Sequence, residues 1–530
     1  MTHITPPPAQ SGSAPKRRPV ESLQPSTGEV WRTFTPATPD EVVAAVAAAR
    51  AAQPAWAAQP IGVRLHALRR FHELVFARRN EIAELISRET DKPVAEAMGT
   101  EVGTALDDAR FLLKAVPTLA KAPWFASGSL AYARKRLRIT HEPYGVLAVI
   151  SPWNYPFMLA CARLLPALAS GNAVVFKPSE LTPSTGELIQ RLLIDAGVPR
   201  DVMALVQGDG VIGAALAGAE VDKVFFTGSV AAGRSVAMAC ASRLIPCGLE
   251  LGGSDAAIVL AGANTAHAAS GLAWGRFSNA GQTCVAPKRI FVEDGAYDAF
   301  VADITRVVTQ LHTGPGSDDT SDVGAVIRPE FRATLEAQRD DAVARGATIA
   351  ATASTTNADI FPPTVLLDVP DDARALREET FGPLMTVIRV RDADEAVARA
   401  NASEFGLSAS VWSRDAARAG AVAARLACGT VAINDVLCTA GIPELPHGGV
   451  KHSGFGSTHG IEGLRDCMRT KGIAADHFSG VRQAWWFGYS RAHRDGVDAF
   501  IRLAHSKRVT ERIAAIGTVL RMLLFPSRPL

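Results

Sequence analysis

The chain of 530 residues has no excess of either charge. Its 55 lysines and arginines against 53 acids leave a net charge of +2. That is too little for bulk attraction to a nucleic-acid backbone, and no nucleic-acid partner is expected. No apolar run reaches the ~18 residues that a membrane-spanning helix needs. The first twenty residues, MTHITPPPAQSGSAPKRRPV, lack the apolar region of a secretory signal. Their proline, serine and alanine content predicts a disordered arm over 1–20. Cysteine is scarce. Cys161, Cys240, Cys247, Cys284, Cys428, Cys438 and Cys467 are odd in number and scattered, with no CxxC pair. A disulfide framework and a structural zinc site are both disfavoured, and no metal is expected. Reduced thiols in a cytoplasmic protein are the simplest reading. No internal repeat is found.

What remains is ordinary globular material, 48% hydrophobic and 20% charged. That is ample for a large core, and at ~150 residues per domain the length suggests about three domains. TPDEVVAAVAAAR reads as a helix start. Thr38 is the N-cap, Pro39 takes the first helical position and Glu41 completes a capping box. Residues 40–121 follow as mostly helical. From residue 144 the texture changes. YGVLAVIS, AVVFKPS, VMALVQG, KVFFTGS and CGLELGG read as buried strands, separated by helical segments such as TPSTGELIQRLLIDAG and VAAGRSVAMACASRL. The alternation predicts a parallel sheet with right-handed crossovers, its ligands at the carboxyl ends of the strands. A second α/β stretch runs over 253–452 and includes RIFVED, LMTVIRV and TVAIN.

The turns at these strand ends carry the chemistry, each with a plainer alternative. In FTGSVAAG, Gly228 and Ser229 open a helix whose exposed N–H groups suit a phosphate; a capped tight turn reads the same way. In KPSE, Lys177 and Glu180 suit a pair of ribose hydroxyls, or form a solvated surface pair. In SPWNYP, prolines stiffen the loop around Asn154, whose amide is either an oxyanion donor or a turn residue satisfying its own backbone. In ELGG, Glu250 is a general base for water or an ion-paired carboxylate, and the glycines permit a close approach. In NAGQTCVAPKR, Cys284 is a nucleophile or a small buried hydrophobe.

Together, PWNYP, KPSE, FTGS, ELGG, NAGQTC, EETFGP and HGGVKHSGFG stand in the order and approximate spacing of the NAD(P)-dependent aldehyde dehydrogenase superfamily. The resemblance covers roughly residues 22–475. It implies an α/β, aldehyde dehydrogenase-like fold of two Rossmann-type parallel-sheet domains plus a small protruding oligomerisation arm. Residues 21–124 and 144–252 would form the NAD(P)-binding domain and 253–452 the catalytic domain. Residues 125–143 and 468–478 would form the arm, and 479–530 a basic amphipathic tail.

By the same resemblance, Cys284 attacks the aldehyde carbon, and Asn154 with the Cys284 N–H holds the oxyanion. Glu250 activates the water that hydrolyses the thioester, favouring a hydrolytic enzyme over a CoA-acylating relative. The presence of Cys284 and Glu250 also argues against an idle NAD-binding member. Ser151, Trp153, Lys177, Ser179 and Glu180 would lie along the adenosine side. Gly228 and Ser229 would face the pyrophosphate, Leu251 the nicotinamide amide, and Glu379 and Phe381 the nicotinamide ribose. Glu180 favours NAD, with NADP possible. Tyr155, Phe157, Thr283, Val285, His447 and Phe455 would line the substrate tunnel. The substrate implied is a medium or long aliphatic, or an aromatic, aldehyde; succinate semialdehyde is the rival, which needs a cation near the tunnel. A homodimer or homotetramer follows from the arm.

Four positions depart from the family pattern: Thr458 stands for a second glutamate, Arg163 for a lysine, Ala162 for a tryptophan and His447 for a phenylalanine. The tail resembles those of class 3-like enzymes and of a second type of succinate-semialdehyde dehydrogenase. Val509, Ile513, Ile516, Leu520, Leu523 and Leu524 follow helical spacing among arginines. Two readings stand for residues 497–525: peripheral contact with a membrane surface, or docking on the enzyme's own dimer.

Overall fold

The computed structural model describes residues 18–355, 357, 359–478, 483, 486–487 and 489–524, the last two without their side chains. Most of the expected disordered arm, residues 1–17, lies outside them. At its inner end that expectation is corrected, because Val20 is buried in a strand, Val20–Leu23. The chain divides into two compact units. One comprises Met1–Leu119 and Glu142–Arg469, the other Ala120–His141 and Thr470–Leu530.

The first unit holds two large sheets beside three two-stranded ones, and the expected α/β architecture is present. The first sheet is built from β1 (Val146–Ile150), β2 (Ala173–Lys177), β3 (Met203–Leu205), β4 (Lys223–Thr227) and β5 (Cys247–Glu250). The residues of β1 and β2 are all buried, because helices cover both faces of a parallel sheet. The second sheet contains β6 (Asp255–Val259), β7 (Pro287–Glu293), β8 (Thr348–Thr352), β9 (Thr364–Leu367), β10 (Leu384–Val390), β11 (Ser408–Trp412) and β12 (Thr430–Ile433), in the order β8-β9-β10-β7-β6-β11-β12. Its pairs are parallel except β8 with β9. The short strand β13 (Gly454–Phe455) returns to the first sheet and pairs antiparallel with β5, completing the order β13-β5-β4-β1-β2-β3.

That order decides where the chemistry collects. The chain builds β1, β2 and β3 outward in one direction, then places β4 and β5 on the other side of β1. The crevice at such a reversal lies beyond the carboxyl ends of the strands. Ser151–Asn154, Pro178–Glu180, Gly228–Ser229 and Leu251 each follow the carboxyl end of one of these strands. Two helices matter for what they carry. One is α1 (Met158–Ala169), which bears Arg163 and is buried along its whole length. The other is α2 (Val230–Ser242), whose N-cap Ser229 accepts from the Ala232 N–H.

The second unit contains a three-stranded sheet with Lys135–Pro143 between Trp124–Ala126 and Met468–Asp476. It ends in two helices, α3 (Arg491–His505) and α4 (Val509–Leu524). The hydrophobic spacing had pointed to α4 alone. The earlier helix is polar over much of its surface, and Ser490 caps it by accepting from the His493 N–H.

Candidate active site

Cys284 sits in a loop shaped by backbone conformation as much as by side chains. Asn279, Ala280 and Gly281 take φ values of 52°, 51° and 71°. Gly281 has no alternative, because a Cβ there would sit 2.4 Å from the Gly382 carbonyl. Side chains then lock the turn. Gln282 Nε2 donates to the Asn279 carbonyl at 3.0 Å, and Gln282 Oε1 accepts from the Ile327 N–H at 2.8 Å. The buried Arg276 guanidinium donates to the Gly281 carbonyl. Lys288, buried at the start of β7, donates to the carbonyls of Thr283 at 3.0 Å and Cys284 at 2.7 Å. Lys288 thus holds the cysteine loop through its main-chain carbonyls. Arg289 donates instead to the Ser254 carbonyl.

Cys284 keeps partial exposure. Burial of its surroundings nevertheless pushes the thiol up to about 12, against the opposing pull of Lys288. At neutral pH the group is a thiol, and the thiolate has to be made on demand.

Asn154 is buried, and its Nδ2 donates to the Gln282 carbonyl at 3.0 Å. Its own carbonyl accepts from Asn279 Nδ2 at 2.8 Å and from Lys92 Nζ at 2.9 Å. The Asn154 loop and the cysteine loop are therefore stitched to each other. Lys92 also pairs with Glu101 and stands 4.0 Å from the centre of the Tyr155 ring. Glu101 in turn accepts from the backbone N–H groups of Phe157 and Met158. It lies in a π-helical stretch, Ala97–Gly103. Nothing in the motif spacing pointed to Lys92 or Glu101, since the Asn154 loop that they brace lies more than fifty residues away.

Glu250 ends β5, buried, with Arg163 Nη2 3.4 Å from Oε1 and the Thr458 hydroxyl 3.3 Å from the same oxygen. Burial raises the carboxyl to about 7, opposed by Arg163. Arg163 is held by the Ser457 carbonyl at 2.6 Å and lies over the Phe225 ring. Thr458 and His447 exchange backbone hydrogen bonds, both 2.7 Å. His447 is buried with Nδ1 unpartnered, and burial lowers its pKa to about 3, so the ring is neutral. Two of the four departures from the family pattern, at 163 and 458, thus contact one carboxylate, and His447 is tied to them through the Thr458 backbone.

On the other side of β1, Lys177 is buried and Glu180 is partly exposed, with 3.4 Å between Nζ and Oε2. Burial of Lys177 rules out a solvated pair. Lys177 also donates to the Pro178 carbonyl, the Ser151 N–H donates to the Lys177 carbonyl, and Ser179 Oγ accepts from the Leu181 N–H. Glu180 opens onto a cavity of about 710 Å³ lined also by Leu181, Asp209, Val211, Ile212 and Arg328. Gly228 leaves no room for a side chain, as a Cβ would meet the Phe226 ring at 2.6 Å. Leu251 packs against Gly233 of α2. The close approach that ELGG permits is to Glu379: its Oε1 accepts from the Gly253 N–H at 3.0 Å, and its carboxylate fills the space a Gly252 side chain would need. Trp153 stacks edge-on against Phe381 and Phe331, with centroids 5.5 and 5.2 Å apart.

The tunnel candidates divide. Tyr155 and Thr283 share a hydrogen bond of 2.9 Å beside Cys284. Val285 is buried next to the cysteine, and Phe455 is 51% exposed on β13. Phe157 does not belong with them. Its side chain is fully buried in the core of the first sheet, so its expected place in the tunnel is corrected to a packing role.

The aldehyde dehydrogenase family model matches residues 12–473. The chain belongs to the aldehyde dehydrogenase family. It is 36% identical over 482 residues to the 4,4'-diapolycopene aldehyde oxidase of a Methylomonas species, covering 91% of this chain and 90% of that protein. It is 38% identical over 467 residues to a Mycolicibacterium smegmatis protein whose name proposes a succinate-semialdehyde dehydrogenase using NADP(+), covering 87% and 89%. The crystal structure of NADP-dependent glyceraldehyde-3-phosphate dehydrogenase from Bacillus halodurans, complexed with NADP, superposes with a TM-score of 0.81. Its identity is 34%, over 87% of this chain and 96% of that one.

This aldehyde dehydrogenase is therefore an oxidoreductase that acts on aldehydes with a nicotinamide dinucleotide. Among its described residues, no cluster of histidine, cysteine, aspartate or glutamate could hold a metal ion.

Proposed function

We propose that the enzyme oxidises a hydrophobic aldehyde, medium or long aliphatic or aromatic, to its carboxylic acid by way of a thioester on Cys284. The observation that carries this reading is the pair of groups with complementary states. A cysteine loop is pinned to the Asn154 amide, and a carboxylate is poised near pH 7 at the adjoining strand end. As the Cys284 sulfur bonds the aldehyde carbon, its S–H proton leaves to solvent water at the partly exposed thiol, and Asn154 with the local main chain receives the oxyanion. A nicotinamide dinucleotide held by the residues along Glu180, Lys177, Gly228 and Ser229 would supply the hydride acceptor. Glu250 then takes a proton from the water that hydrolyses the thioester, a task suited to a carboxylate whose pKa lies near the working pH. Thr458 and Arg163 orient that carboxylate through the contacts described above.

The substrate reading rests on what the arginines do. Arg163 is engaged by Glu250 and the Ser457 carbonyl, and Arg289 by the Ser254 carbonyl. Neither is offered to a second carboxylate, which weighs against succinate semialdehyde. Exposed Phe455 and buried Val285 suit an apolar chain. The Methylomonas relative, named for a 4,4'-diapolycopene aldehyde, points the same way.

For the cofactor, Glu180 and Lys177 suit the adenosine ribose hydroxyls, and a carboxylate there repels a 2′-phosphate, favouring NAD. Arg328 in the same cavity supports a second reading, in which NADP is also accepted. Glu180→Gln is expected to raise NADP over NAD efficiency by about tenfold, one charge interaction at this distance. Arg328→Ala should lower NADP use alone. Unchanged ratios in both variants would remove these residues from cofactor selection.

The central test is pre-steady-state. Glu250→Gln is expected to give a burst of one NADH per site and then turn over about 10²–10⁴-fold more slowly, the usual contribution of a general base. Cys284→Ser should give no burst. A burst from the serine variant would sink the nucleophile assignment. An aldehyde panel including succinate semialdehyde tests the substrate class.

A further inference from the structure

The C-terminal pair of helices has a thin interior. Ala499 of α3 and Ala515 and Val519 of α4 are its buried core, with Phe500 and Leu503 packed beside them. Gly496 makes room for Met522, whose Sδ would lie 2.6 Å from any Cβ there. That small core leaves a second apolar face on α4 unused. Val509, Ile513, Ile516 and Leu520 follow one another at steps of 4, 3 and 4 and are 67%, 63%, 43% and 50% exposed. At about 100° per residue they form a single stripe, roughly a third of a turn away from the buried Ala515 and Val519. Val497 and Ile501 add exposed apolar surface on α3. The helical wheel puts Arg512 on one flank of the α4 stripe and Arg521 on the other.

The charge around the stripe selects its occupant. Residues 479–530 carry nine arginines and lysines against three acids. Each of these acids is already within ion-pair range of a nearby arginine: Asp495 of Arg494, Asp498 of Arg502 and Glu511 of Arg508, the residue just before α4. A second copy of the same face, brought up about a two-fold axis, would set cations against cations. An anionic lipid surface offers the reverse, a layer of phosphates over an apolar boundary. Among the described residues no helix is long and apolar enough to cross a membrane, so the helix would lie on the surface.

We infer that the exposed stripe of α4 is a docking face for an anionic bilayer. Val509, Ile513, Ile516 and Leu520 enter the headgroup–acyl boundary, and Arg512 and Arg521 extend along its flanks to the lipid phosphates. The inference stands on the tail alone and is independent of which aldehyde the enzyme oxidises.

The full-length enzyme is sedimented with phosphatidylcholine vesicles, with and without phosphatidylglycerol, at low and high salt. The expected result is about tenfold more enzyme in the pellet when phosphatidylglycerol is present, falling severalfold at high salt. The double variant Ile513→Glu, Leu520→Glu should drop to the phosphatidylcholine level while keeping turnover of a soluble aldehyde. Both side chains point outward, so folding is preserved. No sedimentation of the wild type, or equal sedimentation of wild type and variant, overturns the inference. A smaller particle for the variant by light scattering without vesicles also overturns it, assigning the face to contact between copies.

Discussion

Glu250 shows how a single side chain acquires its function from neighbours that are remote in sequence. Burial raises its carboxyl to about 7, and Arg163 restrains that rise. In the proposed reaction the charged form of Glu250 is the base, so thioester hydrolysis should increase with pH through about 7 and level off above it. Arg163→Met removes the restraining cation and leaves burial unopposed. The acid limb of the kcat–pH profile is then expected to move up by about one unit, with hydrolysis at neutral pH falling several-fold. An unmoved limb would mean that Arg163 only packs. Cys284, Asn154 and Glu250 were legible as candidates because their motifs put reactive types at strand ends. Their electrostatic state was not legible. Arg163 and Thr458 reach Glu250 across gaps in sequence that no local pattern spans.

At the scale of elements, the strands read almost directly. LMTVIRV coincides with β10, and VLAVI with β1, because a strand buried on both faces must be continuously apolar. The capping box at Thr38 and the N-cap at Ser229 also form as read. The loops were harder, since their shape is set by contacts from outside. The NAGQTC turn depends on three successive left-handed residues and on Gly382 lying across Gly281. Gly281→Ala forces a methyl into that carbonyl and adds strain of about 1–3 kcal/mol. The expected outcome is a melting temperature lower by a few degrees and a kcat reduced more than about tenfold, since misplacement of a nucleophile is costly. A variant with native kcat would show that the loop does not position Cys284. The pair of C-terminal helices was half read for a related reason. The apolar spacing of α4 is plain, whereas α3 buries only small residues and is marked mainly by its serine cap.

At the scale of the molecule, the second unit offers a sheet edge. Met468–Asp476 lies at the margin of its three-stranded sheet with most residues exposed, including Ile473. From the exposed apolar Ile473 on this marginal strand, and from the likeness of the segment to the family's protruding arm, we propose that copies of the enzyme pair through it. Ile473→Asp would set like charges together across a symmetric contact. Size-exclusion chromatography with light scattering should then show a smaller assembly than the wild type; an unchanged mass would take this strand out of the contact. Taken by itself, the sequence determined the alternation of strands and helices, through periodicity, and, through seven motifs in order, the resemblance to the family that makes Cys284, Asn154 and Glu250 the proposed nucleophile, amide and carboxylate. Tertiary structure alone decided that Cys284 is a thiol at rest, that Glu250 is poised near neutrality, that Phe157 belongs to the core and that Lys92 braces the Asn154 loop. Burial and charge proximity produce each of these, and both exist only once distant segments have been folded against each other.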